Sequence, residues 1–298
     1  MTPSLPVTVG FDGSSTATTA VEWAAAEAAR RGERLRIITA THHPGMPSSA
    51  GSTSMPLMPR TLGTRADERS KQAREIAARR LPESDIDSAV VADRAAAALL
   101  EASSQASMVV VGHRGHGTLT SALLGSVSMA VAEHAQCPVV VVRGAVEEAE
   151  GRQVAVGVDG TSESEPALLF AAAAAAQRKV PLRVVCAWVM PQAAWADETW
   201  QTVPADDWVE MSDALSEAAR VAADSAAARA RATWPDLVVE AEAPIAAPAL
   251  ALEDISRVSG LVVVGARGVG TMREFFLGSV SRSVLHQSAC PVAVVSAQ

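Results

Sequence analysis

The sequence predicts an α/β fold of two tandem domains, each a doubly wound sheet of five parallel strands. Three observations lead there. The first is an internal repeat. Val9–Ser14 (VGFDGS) returns as Val156–Thr161 (VGVDGT), at an offset of 147. Val109–Gly112, Gly125–Ser128 and Cys137–Val139 all return at an offset of 153, and 10 of the 18 positions from Gly125 to Val142 are identical in the second copy. Such self-similarity marks duplicated structural units. The second is a set of continuous valine runs, the pattern of parallel strands covered by helices on both faces. The third is the regular alternation of those runs with alanine-rich helical segments.

The elements follow in order. In the first copy Val7–Phe11 reads as a strand. Ser14 or Ser15 caps a helix running to Arg31, which Gly32 ends. Leu35–Ala40 is a second strand. Residues Thr41–Gly63, rich in Pro, Ser, Gly and Met, read as a long loop. A helix over Arg65–Arg80, a strand over Ile86–Val91, a helix over Ala95–Gln105 and a strand over Met108–Val111 come next. A loop, a helix over Ser126–His134 and a fifth strand over Val139–Val142 close the copy. The second copy places strands near Val154–Val158, Leu182–Ala187, Leu237–Glu240, Leu261–Val264 and Val292–Val295. The change of offset from 147 to 153 puts a net insertion in its middle. The polar stretch Gly144–Arg152 is the boundary, giving domains over 1–146 and 152–298.

Composition sets the broad class. The chain has 298 residues, 49% hydrophobic and 19% charged, with a net charge of -8, enough apolar content for two packed cores. The net charge argues against a protein that coats nucleic acid. The charge is uneven: residues 1–147 hold 14 basic and 14 acidic side chains, whereas 148–298 hold 11 and 19. Apolar runs such as Ala167–Ala176 fall short of the ~20 residues of a membrane span. The opening residues show no basic region followed by an apolar stretch, so no secretory leader is expected. Cys137, Cys186 and Cys290 form no CxxC pair, and are expected as buried thiols in a reducing cytoplasm.

The chemistry gathers at strand ends. After the fourth strand of each copy comes a glycine loop of one spacing: Gly112, Gly115, then nine residues to Gly125–Ser126, and Gly265, Gly268, then nine residues to Gly278–Ser279. Glycine admits close approach of a phosphate, inward N–H groups bind anions, and the helix that starts at the serine adds its dipole. Asp12 and Asp159 end the first strands at the same sheet edge. Each carboxylate either caps the following helix or serves a ligand, as a ribose or purine acceptor or toward Mg2+ through water. A Walker A loop is absent, because Lys71 precedes Gln72 and Lys179 precedes Val180; GxGxxG is absent as well. Arg114 and Arg267 sit inside the glycine loops, either neutralising phosphate or facing solvent.

The pattern G-x2-G-x9-G-S after a valine-rich strand, in a domain opening V-G-x-D and closing C-P-V, resembles the universal stress protein family, here as a tandem member. The resemblance implies a Rossmann-like fold of the adenine nucleotide alpha hydrolase type and one ATP site per domain. Carried onto this chain, the first site comprises Gly10, Phe11, Asp12, Ala40, Val111, Gly112, Arg114, Gly115, Gly125, Ser126, Val127 and Ser128. The second comprises Gly157, Val158, Asp159, Ala187, Val264, Gly265, Arg267, Gly268, Gly278, Ser279, Val280 and Ser281. Asp12 and Asp159 are the metal positions, for Mg2+ accompanying ATP. The family's fifth strand commonly pairs across domains, so Val139–Val142 and Val292–Val295 are expected to pair within one chain or to make a homodimer.

No repeated base accompanies these residues. His113 and His116 have Ala266 and Val269 in the second copy, and His42, His43, His134 and His286 do not repeat. Dedicated catalysis is not expected, and weak ATP hydrolysis at most. The functional reading is a cytoplasmic, nucleotide-dependent stress regulator with an unidentified protein partner. The alternatives are a slow ATPase or phosphotransferase, and a structural or chaperone-like protein. The loop around Met46, Met55, Leu57 and Met58 is either disordered, a lid or a partner site. Trp188, Trp195, Trp200 and Trp208 mark the equivalent region of the second copy, as a pocket cover or an interface.

Overall fold

The computed structural model describes residues 4–41, 60–115, 124–144, 151–190, 205–268 and 277–297. The chain divides into two units, Met1–Glu150 with Pro291–Ser296, and Gly151–Cys290.

In the first unit the parallel strands are β1 (Val7–Gly10), β2 (Leu35–Ala40), β3 (Ile86–Val91), β4 (Met108–Gly112) and β5 (Val139–Val142), in the order β3-β2-β1-β4-β5. β1 is flanked by β2 and β4, so the winding reverses beside it. The helices are α1 (Ser15–Arg31), α2 (Arg60–Ala77), α3 (Ala95–Ser103) and α4 (Ser126–His134). Strand β10 (Val292–Val295) lies antiparallel on the outer edge of β5, with Val292 opposite Val141 and Val294 opposite Val139. The fifth-strand pairing anticipated from the sequence thus takes its intrachain form, and it covers an edge that would otherwise invite a further strand.

Local chemistry explains the elements. β4 and β5 are buried along their whole length, which fits their valine runs between two helix layers. Helix α1 buries Ala17, Ala20, Val21, Ala24 and Ala28 on one face. Its N-cap is Ser14, whose hydroxyl accepts from the Ala17 N–H at 3.2 Å, and it ends on Gly32 at φ 64°. Glu27, only 1% exposed, is held by Arg30 and by Arg31 at 2.8 Å.

The second unit repeats the plan with β6 (Gln153–Gly157), β7 (Leu182–Val185), β8 (Val239–Glu242) and β9 (Ser259–Gly265) in the parallel order β8-β7-β6-β9. Its helices are α5 (Glu165–Arg178), α6 (Ala205–Thr233), α7 (Pro248–Ser256) and α8 (Ser279–Gln287). Arg74 donates to the Ile86 carbonyl in the first unit, and Arg231 to the Val239 carbonyl in the second, each at the start of the third strand.

Some boundaries differ from the sequence expectation. Helix α2 starts at Arg60, five residues before the expected Arg65, so residues 60–63 belong to helix and not to the loop. It stops at Ala77, because the Arg80 and Leu81 N–H groups turn back onto the Ala77 carbonyl ahead of Pro82. β8 begins at Val239 and not at Leu237, whose N–H is used in a turn to the Trp234 carbonyl. The expected loop over 42–59 lies outside the described residues. Among the described residues no helix is long and apolar enough to cross a membrane.

Candidate functional site

Each unit carries a cavity at the carboxyl ends of its strands, where the winding reverses, the usual ligand position in open α/β sheets. In the first unit the cavity is ≈ 280 Å³. Gly10, Phe11 and Asp12 enter it from the end of β1, and Ala40 from the end of β2. Val111, Gly112, Arg114 and Gly115 enter it from β4 and its loop, and Gly125, Ser126, Val127 and Ser128 from the start of α4. The second cavity is ≈ 440 Å³. Gly157, Val158, Asp159 and Ala187 line it from β6 and the chain after β7. Val264, Gly265, Arg267 and Gly268 line it from β9 and its loop, and Gly278, Ser279, Val280 and Ser281 from α8. Every residue the sequence nominated is therefore brought to one of two cavities, and Arg114 and Arg267 are on the lining of theirs.

The loops are built alike. The Gly125 N–H donates to the His113 carbonyl at 2.8 Å, and the Gly278 N–H to the Ala266 carbonyl at 2.9 Å, so each loop closes on itself. Ser128 Oγ donates to the Gly112 carbonyl at 2.7 Å, and Ser281 Oγ to the Gly265 carbonyl at 2.6 Å. These two hydroxyls pin the first helical turn to the strand end, so their protons are committed to the backbone. Gly125 and Gly278 are the N-caps, and neither has a side-chain cap. The first-turn N–H groups of α4 and α8 therefore have no side-chain acceptor at that position and present a positive dipole end, the arrangement that favours an anion.

Three glycines have visible reasons. A β-carbon on Gly10 would stand 2.9 Å from Leu99 Cδ1, and one on Gly157 2.8 Å from Leu252 Cδ1. One on Gly112 would stand 2.7 Å from the Thr16 carbonyl oxygen. Thr16 also donates through Oγ1 to the Arg114 carbonyl, tying α1 to the glycine loop.

Neither aspartate caps a helix: the N-caps are Ser14 for α1 and Ser164 for α5, and each aspartate instead closes the turn that precedes its helix. Asp12 Oδ1 accepts from the Ser14 N–H at 2.9 Å, and Asp159 Oδ1 accepts from the Thr161 N–H at 3.0 Å and its hydroxyl at 2.6 Å. Both carboxylates line the cavities as well. Gly13 and Gly160 take φ of 89° and 78° just after them, a turn that L side chains rarely make.

Positive charge concentrates by the first cavity. Arg143, beyond the end of β5, has its basicity lowered by burial first and then by the Arg114 guanidinium. His113 points Nδ1 at the Val142 carbonyl at 3.3 Å, and its pKa is lowered by burial and then by Arg143. His113 is not among the cavity-lining residues. His116, His42, His43, Trp195 and Trp200 lie outside the described residues. His134 directs Nδ1 at the Ala130 carbonyl at 3.0 Å, on its own helix. Among the described residues no group of three or more His, Cys, Asp and Glu stands ready to enclose a metal.

Sequence reasoning missed several wall residues. Ala95 and Leu99 line the first cavity, and Pro248 and Leu252 the second, at the same offset of 153 that marks the glycine loops. That offset was the signal that could have found them. Cys186, Leu215 and Ala222 line only the second cavity.

The family model for the universal stress protein family matches residues 5–143 and again 151–296. A universal stress protein of Mycobacterium tuberculosis (strain H37Rv) is 32% identical over 302 residues, covering 97% of this chain and 96% of that protein. A second from the same strain is 30% identical over 313 residues, covering 98% and 95%. A crystal structure of a universal stress protein from Archaeoglobus fulgidus DSM 4304 superposes with a TM-score of 0.62 at 18% identity, covering 97% of this chain and 98% of that one. That likeness speaks to the fold.

Proposed function

The chain belongs to the universal stress protein family, and from that premise we propose that it is a nucleotide-dependent stress regulator binding one ATP in each domain, 1–146 and 152–298. The observation that carries the reading is the repeated geometry of the two cavities. In each, a glycine loop closes on itself beside an open helix N-terminus, an arginine lines the loop, and an aspartate faces it from the first strand. This combination suits a polyphosphate on the β4 or β9 side and a purine ribonucleoside between β1 and β2, or β6 and β7. The first cavity, ≈ 280 Å³, lies at the lower edge of the usual range for small-molecule pockets, and the second, ≈ 440 Å³, lies within it.

The residues fit Mg2+ accompanying the nucleotide. Asp12 and Asp159 each present a single carboxylate with one oxygen already accepting from the backbone. Mg2+ is commonly held by one or two carboxylates, substrate phosphates and waters, and an all-protein cage is not needed. Bound there it would neutralise phosphate charge.

Regulation then follows from differential affinity. ATP that binds one conformation better shifts the chain toward it, and a partner reads the shift. Association with a second copy and with an unidentified partner belongs to the same reading. Those contacts fall away from the edge of β5, which β10 already covers.

The test is to purify the protein without added nucleotide, denature it and identify what is released. ATP approaching two per chain supports a long-lived sensor. ADP favours the slow hydrolase instead. No nucleotide, together with no ATP binding on titration, overturns the reading.

A further inference from the structure

We infer that the two cavities select different nucleotides, and that the second takes a purine nucleotide carrying an apolar group on its base. The inference rests on the nucleotide reading of both cavities. It comes from one end of the cavity, whose walls the duplication does not preserve.

One such wall is the helix after the second strand. In the first unit the Arg69 side chain of α2 lies over Gly13, where a β-carbon on the glycine would stand 3.3 Å from Nε and 3.5 Å from Cγ and Cδ. In the second unit the same place over Gly160 is held by Ala222 of α6, with Cβ 3.1 Å from such a β-carbon. Positions 69 and 222 differ by the offset of 153, as do Arg65 and Ala218 one turn earlier. Two long cations on one helix are thus two methyl groups on the other. Ala218, Ala222 and Leu215 line the second cavity, whereas no described residue of α2 lines the first. The second cavity is also the larger, ≈ 440 against ≈ 280 Å³.

The strand end beside that wall changes in the same sense. After β2 stands Thr41, its hydroxyl donating to the Val91 carbonyl at 3.3 Å; the repeat replaces it with Trp188 after β7. Trp188 lines the second cavity, is 8% exposed, and buries its Nε1 without a hydrogen-bond partner among the described residues. A buried indole N–H without an acceptor is costly, and a ligand acceptor would relieve it.

Topology says which end of the ligand this serves. β6 pairs with β9 on one side and β7 on the other. The glycine loop follows β9, so the anion end lies there. Trp188 follows β7 and α6 follows it in sequence, so the added apolar wall lies at the opposite, base end. The first cavity keeps Arg69 on that flank, which leaves it suited to an unsubstituted base.

The probe is N6-benzyl-ATP, titrated calorimetrically against the full chain beside ATP, with tryptophan fluorescence followed in parallel. ATP is expected to fill two sites. The benzyl analogue is expected to fill one, quenching fluorescence that Trp188→Phe removes. Ala222→Arg should weaken the analogue at least tenfold while first-site ATP binding persists, and Arg69→Ala should create a second site for it. The second variant is a gain, so misfolding cannot mimic it. Equal binding of the analogue at two wild-type sites, or none while ATP fills two, would overturn the inference. Absence of ATP binding altogether would instead sink the nucleotide reading beneath it.

Discussion

The carboxylate of Asp12 packs against the bare Cα of Gly115, so closely that any β-carbon at position 115 would overlap Oδ2. Position 12 ends the first strand and position 115 belongs to the loop after the fourth. Their contact spans the point where the sheet winding reverses. In the second unit Asp159 and Gly268 repeat it more loosely, with Oδ2 3.1 Å from the equivalent β-carbon position. A side chain at position 115 would therefore displace the Asp12 carboxylate from its place at the cavity.

Gly115→Ala should leave the fold intact and damage the site, because the clashing atom is a side-chain oxygen that can swing away only by giving up its place at the cavity. ATP affinity at the first site should fall at least tenfold, about 1.4 kcal/mol. Gly268→Ala should cost less. Calorimetric titration of each variant checks the order.

Gly112→Ala should act on stability instead. Its β-carbon would meet the Thr16 carbonyl oxygen at 2.7 Å, and backbone cannot rotate away. A loss of about 1–3 kcal/mol is expected, as for overpacked cores. Gly265→Ala would meet the Arg267 carbonyl oxygen at 3.0 Å, within a short loop that can adjust, and should cost under about 1 kcal/mol. Urea unfolding of the two variants separates these outcomes.

Lys179 ends α5 at φ 56°, where the first unit has Gly32 ending α1 at φ 64°. Among the described residues it is the only non-glycine at positive φ. Lys179→Gly should raise stability by up to about 1 kcal/mol, by removing the Cβ strain of the left-handed conformation. An unchanged or lowered urea midpoint would count against it.

The fold was legible because its signals are local or repeated. Val139–Val142 and Ser126–His134 were readable to the residue, since a valine run and a glycine-preceded helix declare themselves. The glycine loops were legible through their common spacing. Arg143 was not, because it meets His113 only through the pairing of β4 with β5. The exchange of Arg69 for Ala222 was hidden too. It matters only once the face of α2 that covers Gly13 is known, and the loop before α2 obscured the helix start.

His113 gives a pH dependence. Burial and the neighbouring Arg143 lower its pKa from the ordinary 6.5, so the folded chain resists a proton that the unfolded chain accepts. Its neutral form supports full stability above about pH 6.5, and stability falls as the pH drops from there through the lowered value, by at most about 1.4 kcal/mol per unit. His113→Ala, the residue found at the equivalent position 266, should flatten unfolding curves between pH 7 and 5. An unaltered pH slope would contradict this.

In the proposed function, two glycine loops make two ATP sites. Its most direct test is titration of the nucleotide-free chain with ATP, in the native form and with Gly115→Ala and Gly268→Ala combined. Two sites per chain are predicted, with the first weakened at least tenfold and the second by less in the double variant. Undiminished binding in a folded double variant would show that the glycine loops do not form the ATP sites.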